Sequence, residues 1–239
     1  SSELEIKCSL EGSIEKMPLL GKRKLFYGYW ILAVAFWGVF IFSGCGTGTF
    51  SLFVKPLQSE FGWGRGDIMV AFTLFFLFIG VVSPFAGKLV DRYGARYVIS
   101  LGAFVGGLGF VSLNLMHDLW HFYGGYAIIG LGMAATGHIP ASALVSNWFR
   151  KWRGTAIGIM STGIGVGVLA LAPLIGYYLI PHFGWRVSYL TLAIFMWTLI
   201  PLALFVVRTK PADMGLYPDG VQDPTDTLAA QVPYTEPKG

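Results

Sequence analysis

Between two long apolar runs, residues 68–86 and 97–115, the chain sets ten residues that carry four charges: Gly87-Lys88-Leu89-Val90-Asp91-Arg92-Tyr93-Gly94-Ala95-Arg96. Apolar runs of about 18 or more residues can cross a bilayer as helices, whereas interior strands of soluble proteins run about 4–8 residues. A charged, glycine-bounded hairpin between two such runs has no place in a soluble core. It fits a tight turn at a membrane surface.

The rest of the chain agrees. Only 13% of its 239 residues are charged, about half the usual 25% of a soluble domain. The apolar runs predict an all-α polytopic membrane protein with six transmembrane helices, at about 28–54, 67–87, 96–116, 119–147, 154–180 and 185–207. Lys22, Arg23, Lys24, Lys88, Arg92, Arg96, Arg150, Lys151, Arg153, Arg208 and Lys210 fall on one side of these spans. Lys55, Arg65 and Arg186 fall on the other. The positive-inside rule then places both ends in the cytoplasm; the expected location of the spans is the plasma (inner) membrane.

The net charge of +4 comes from these flanking residues and gives no reason to invoke nucleic acid. Residues 1–27 are expected to be a cytoplasmic tail, and 28–207 the bundle. Residues 208–239, with Pro211, Pro218, Pro224, Pro233 and Pro237, read as a disordered cytoplasmic segment. The first span starts too late and runs too long for a cleavable signal peptide. The chain begins at Ser1; Met17 is a candidate start, the alternative being a sequence that continues upstream. Cys8 lies in the tail and Cys45 inside a span, so no disulfide is expected between them.

The spans are rich in glycine. Gly102/Gly106, Gly154/Gly158 and Gly163/Gly167 have the small-xxx-small spacing that lets membrane helices approach closely. Pro84, Pro140 and Pro173 each remove an i−4 hydrogen bond and permit a kink.

Within residues 87–96, Gly87 and Gly94 allow turns at helix ends. Asp91 can stabilise a helix N-terminus or pair with an arginine across the loop. Arg92 and Arg96 can bind carboxylates or anionic lipid. A loop that only sets topology needs no such order. The order resembles the major facilitator superfamily signature, G-x-L-x-D-R-[FY]-G-x-[RK], which lies between helices two and three of that family. The resemblance implies a secondary transporter without a cofactor, in which Gly87, Asp91, Arg92, Gly94 and Arg96 help to gate between outward-open and inward-open states.

Residues 60–65, 147–156, 184–186 and 211–220 resemble one branch, the monocarboxylate-transporter-like group. That likeness implies a small organic anion as substrate, a monocarboxylate, with a coupled proton as candidate co-substrate (symport). Two features depart from the pattern, one residue in helix four and the length of the chain. Many proton-coupled members carry an arginine early in helix four, where this chain has Tyr126, so coupling through that arginine does not carry over. The echo of an antiporter motif at Ala172-Pro173 and Gly176 is too degenerate to assign antiport. The family also has twelve helices in two halves, with the substrate site between them. The chain is therefore expected to be a fragment or truncated product, lacking a carboxy-terminal six-helix half. A second copy of itself is the alternative partner.

In that family helices one, two, four and five line the cavity, and polar residues inside spans tend to face it. The substrate candidates are Ser43 and Thr47, His138 and Ser142, and Thr162 with its neighbour Ser161. His138 can hydrogen-bond a carboxylate or exchange a proton near neutral pH; bonding to a neighbouring helix is its plainer role. Ser43 and Thr47 can instead bond their own helix carbonyls. Asn114, His117, Asp118 and His121 read as a solvated loop, so no metal site is expected. No paired carboxylates, H-E-x-x-H or Gly-x-Ser-x-Gly pattern points to an enzyme. The alternative to transport is a non-transporting half-size membrane protein, receptor-like or regulatory.

Overall fold

The computed structural model describes residues 27–208; the two expected tails lie outside the described residues, save Tyr27 and Arg208. Every regular element among the described residues is helical. Helices α1 (Gly28–Phe61), α2 (Arg65–Tyr93), α3 (Ala95–Asn114) and α4 (Leu119–Trp148) are each long and apolar enough to span a membrane. The next helical run, Arg153–Val206, holds 54 residues. That is about 81 Å of helix against a hydrocarbon core of about 30 Å. It divides at Gly184, whose φ of 80° and ψ of 170° leave the helical region. Residues 153–183 form α5 and residues 185–206 form α6. The six expected spans are present.

The helices outrun the apolar spans. α1 continues to Phe61 and α2 to Tyr93, because polar residues end a membrane-compatible run without ending a helix. α1 packs along α5, α2 along α4, and α3 against both α4 and α6. The pattern is two-fold, since α1 meets α5 as α4 meets α2.

Glycine sets the closest approaches. A Cβ on Gly132 of α4 would lie 2.5 Å from the Gly102 carbonyl oxygen and the Gly106 Cα of α3. Gly163 and Gly167 of α5 face the backbone of Phe36 and Phe40 in α1. The third expected pair is different: nothing lies within 4 Å of a Cβ on Gly154 or Gly158. That pair does not pack among the described residues.

Three helices are irregular. Pro140 has no N–H to offer Thr136 and crowds its carbonyl, so α4 breaks at Gly137 and restarts at His138. α1 widens into a π turn over Phe42–Gly48. There the Thr47 and Thr49 hydroxyls donate to the Ser43 and Cys45 carbonyls at 3.1 and 3.2 Å. α5 widens over Leu174–Leu179, directly after Pro173.

The buried side chains form two cores. One, toward Trp185, is aromatic and centres on Phe50, Phe53, Phe75, Phe122, Tyr126 and Tyr189. The other, toward Trp148, is largely aliphatic, with Ile31, Val98, Leu144 and Val145. Trp185 and Trp148 mark the two ends of the bundle.

Candidate functional site

His138 opens the second half of α4, and its Nε2 lies 3.1 Å from Ser161 Oγ on α5. The break at Gly137 sits against α1, where a Cβ would come 3.0 Å from the Phe42 ring at the start of the π turn. Three helices expected to line a cavity thus meet where two of them lose regular hydrogen bonding. The first N–H groups of the restarted helix have no helical acceptors, and its positive end lies at His138.

The other substrate candidates are not drawn into that contact. Thr47 donates to the Ser43 carbonyl at 3.1 Å, Ser142 to Ile139 at 2.8 Å and Thr162 to Ile159 at 2.7 Å. Ser43 is buried in α1. Hydroxyls bonded this way keep lone pairs free but have no proton left for a carboxylate.

Tyr126, at the position where the resemblance implies an arginine in many proton-coupled members, lies in the aromatic core. Its hydroxyl is 3.2 Å from that of Tyr189 on α6. The Tyr126 ring meets Phe50 and Phe122 edge-on, and Tyr189 stacks on Phe53 with centroids 4.1 Å apart.

The charged hairpin is tighter than its sequence implies. Gly87 lies inside α2 and makes no turn, so that expectation is corrected; Gly94 alone turns the chain, at φ 85°. A helix of 29 residues is about 43 Å long, enough to carry its last turns beyond the hydrocarbon. Asp91 and Arg92 are exposed near the end of α2, and Arg96 opens α3. Asp91 therefore caps no helix N-terminus, and among the described residues it makes no ion pair.

Each end of the bundle has a polar clasp. At the Trp185 end, Arg186 Nη1 lies 2.8 Å from Glu60 Oε1, and Trp185 Nε1 donates to Glu60 Oε2 at 2.5 Å. Asn114 Nδ2 donates to the Arg186 carbonyl at 3.0 Å, tying α1, α3 and α6 together. Residues 60–65 and 184–186 stood out in the sequence, but their meeting did not. The ion-pair side chains are 41% and 39% exposed, so Glu60→Gln is expected to cost only about 0.5–1 kcal/mol. Thermal unfolding in detergent should show a small loss that shrinks in molar salt. At the Trp148 end, Trp148 Nε1 donates to the Arg208 carbonyl and Tyr27 to the Val206 carbonyl, at 2.8 and 2.7 Å.

Comparison with known proteins follows the same lines. The family model described as Major Facilitator Superfamily matches residues 35–230. A Bacillus subtilis (strain 168) protein, named as the uncharacterized MFS-type transporter YcxA, is 28% identical over 166 residues, 68% of this chain and 40% of its own length. Monocarboxylate transporter 4 of Rattus norvegicus is 31% identical over 207 residues, 84% of this chain and 43% of its own length. The crystal structure of a peptide transporter, POT, matches the fold with a TM-score of 0.65 at 17% identity, over 83% of this chain and 42% of that one. The chain thus spans less than half the length of these relatives. With the family match running from α1 past the end of α6, this multi-pass membrane chain belongs to the Major Facilitator Superfamily.

Proposed function

We propose that the chain is the amino-terminal six-helix half of a secondary transporter that moves a small organic anion, a monocarboxylate, by alternating access against a second six-helix half. The observation that carries this reading is the His138–Ser161 contact at the α4 break. Hydrogen-bond donors at the positive end of a half-helix are what a carboxylate needs. The rat relative's name supports the substrate class. Ser43, Thr47, Ser142 and Thr162 serve the same cavity as acceptors for a substrate hydroxyl or water. The imidazole has two ring nitrogens that can each hold a proton, which makes His138 the group to carry a coupled proton in symport.

The basic residues Lys88, Arg92, Arg96, Arg150, Lys151 and Arg153 orient the Trp148 end toward the cytoplasm, in the plasma membrane. Gly87, Asp91, Arg92, Gly94 and Arg96 gate there. The test is uptake of radiolabelled monocarboxylates by the full-length gene product in proteoliposomes. Losing a hydrogen bond to a charged group costs about 1.5–3 kcal/mol, so His138→Phe is expected to lower uptake by roughly 10- to 100-fold. His138→Gln should retain part of it. Asp91→Asn with Arg92→Ala should slow flux while sparing substrate affinity; unchanged flux would sink the gating role. Substrate binding without any flux would favour a receptor-like protein instead.

A further inference from the structure

We infer that the α2–α3 turn binds an anionic phospholipid, with its phosphate on Arg92 and Arg96 and an acyl chain along α3. The inference rests on the cytoplasmic placement of this turn proposed above. The two arginines flank the one-residue turn at Gly94. Arg92 lies over the Tyr93 ring and Arg96 over the Tyr97 ring, at 5.4 and 5.7 Å from the centroids. Both tyrosines are more than half exposed. Arg96 Nε is buried and, among the described residues, has no hydrogen-bond partner. Arg96 must swing outward to offer that donor to an anion, whereas Arg92 is exposed as it stands.

An apolar stripe continues from the basic head. Tyr97, Leu101, Phe104 and Leu108 recur at three- and four-residue spacing on α3, and all are exposed. From the turn along α3, the surface passes from guanidinium to phenol to aliphatic side chain. A phospholipid presents phosphate, then the glycerol level, then acyl chain in the same order. The guanidinium fork matches phosphate oxygens, and tyrosines favour the interfacial level. The cytoplasmic leaflet supplies the anionic lipids. A zwitterionic lipid offers the same phosphate offset by its own ammonium, so the site selects phosphatidylglycerol over phosphatidylcholine.

Native mass spectrometry of the full-length protein, offered equal amounts of the two lipids in detergent, reads this directly. Wild type should retain phosphatidylglycerol preferentially. R92Q is expected to reduce that preference about fivefold, and R92Q/R96Q roughly 25-fold. K55Q/R65Q, at the opposite end, should leave it intact. Arg92 is exposed, so R92Q alone decides the matter if the double variant does not fold. Equal retention of the two lipids by wild type, or undiminished selectivity in R92Q, would overturn the proposal. Displacement by millimolar inorganic phosphate would do the same, identifying a soluble-anion site. Sidedness is read separately, by labelling K88C in a C8S background with a membrane-impermeant maleimide. Reaction from the outside would overturn the cytoplasmic placement, whereas selectivity in detergent does not depend on it.

Discussion

Replacing Gly132 with alanine is expected to destabilise the bundle by about 3 kcal/mol, the upper end of the usual overpacking cost. The methyl group would meet the Gly102 carbonyl oxygen and Gly106 Cα at 2.5 Å. Neither is a side chain that can rotate away. Relief requires α3 and α4 to separate, and α3 also packs on α6. Gly158→Ala is the matched control, because that position is exposed with nothing within 4 Å. Alanine there should be neutral, or stabilising by up to about 1 kcal/mol through helix propensity. Cys45 is buried at 3% exposure and supplies a native reporter. In a C8S background, thiol labelling during a thermal ramp should shift to markedly lower temperature for Gly132→Ala and stay in place for Gly158→Ala.

The second large effect is expected at Tyr126. Arginine at this position would set a charge among the rings of Phe50, Phe122 and Tyr189. An uncompensated buried charge costs about 3–5 kcal/mol, so Tyr126→Arg alone should cause the expressed protein to fail to fold or to unfold early in the same assay. Tyr126→Phe is milder. It strands the buried Tyr189 hydroxyl, at about 1–3 kcal/mol. Tyr126→Phe combined with Tyr189→Phe removes both hydroxyls and should recover most of that loss. Additive losses in the double variant would show that the two hydroxyls do not act as a pair.

What the sequence revealed depended on which physical signal each residue carried. The six spans were legible because bilayer thickness fixes the length of an apolar run. Gly102/Gly106 and Gly163/Gly167 were legible as close approaches because their spacing places both members on one helix face. Gly154/Gly158 has the same spacing and packs against nothing described, since spacing carries no information about what lies opposite. Residues 87–93 read as a loop because they are charged, yet charge reports sidedness and leaves helix formation nearly untouched. The α4 break had a local signal in Pro140, whose missing N–H disrupts the turn ending at Thr136. The π turn of α1 had none, because one widened turn shifts the apolar pattern too little to notice. His138 was legible as a polar residue in an apolar span; its contact with Ser161 depends on how α4 and α5 pack. The Glu60–Arg186 clasp joins residues far apart in the chain, and no periodicity links them.

The turns at Gly94 and Gly184 each join two membrane helices through a single residue. Such a pair has no slack with which one helix could settle in the bilayer before its neighbour. α2 with α3, and α5 with α6, must therefore integrate during synthesis as hairpins, with each pair committing to its orientation as a unit. An epitope inserted at either glycine would uncouple two insertion events that the native chain makes one. The longer connections, between α1 and α2, α3 and α4, and α4 and α5, are the places where such an insertion would be tolerated.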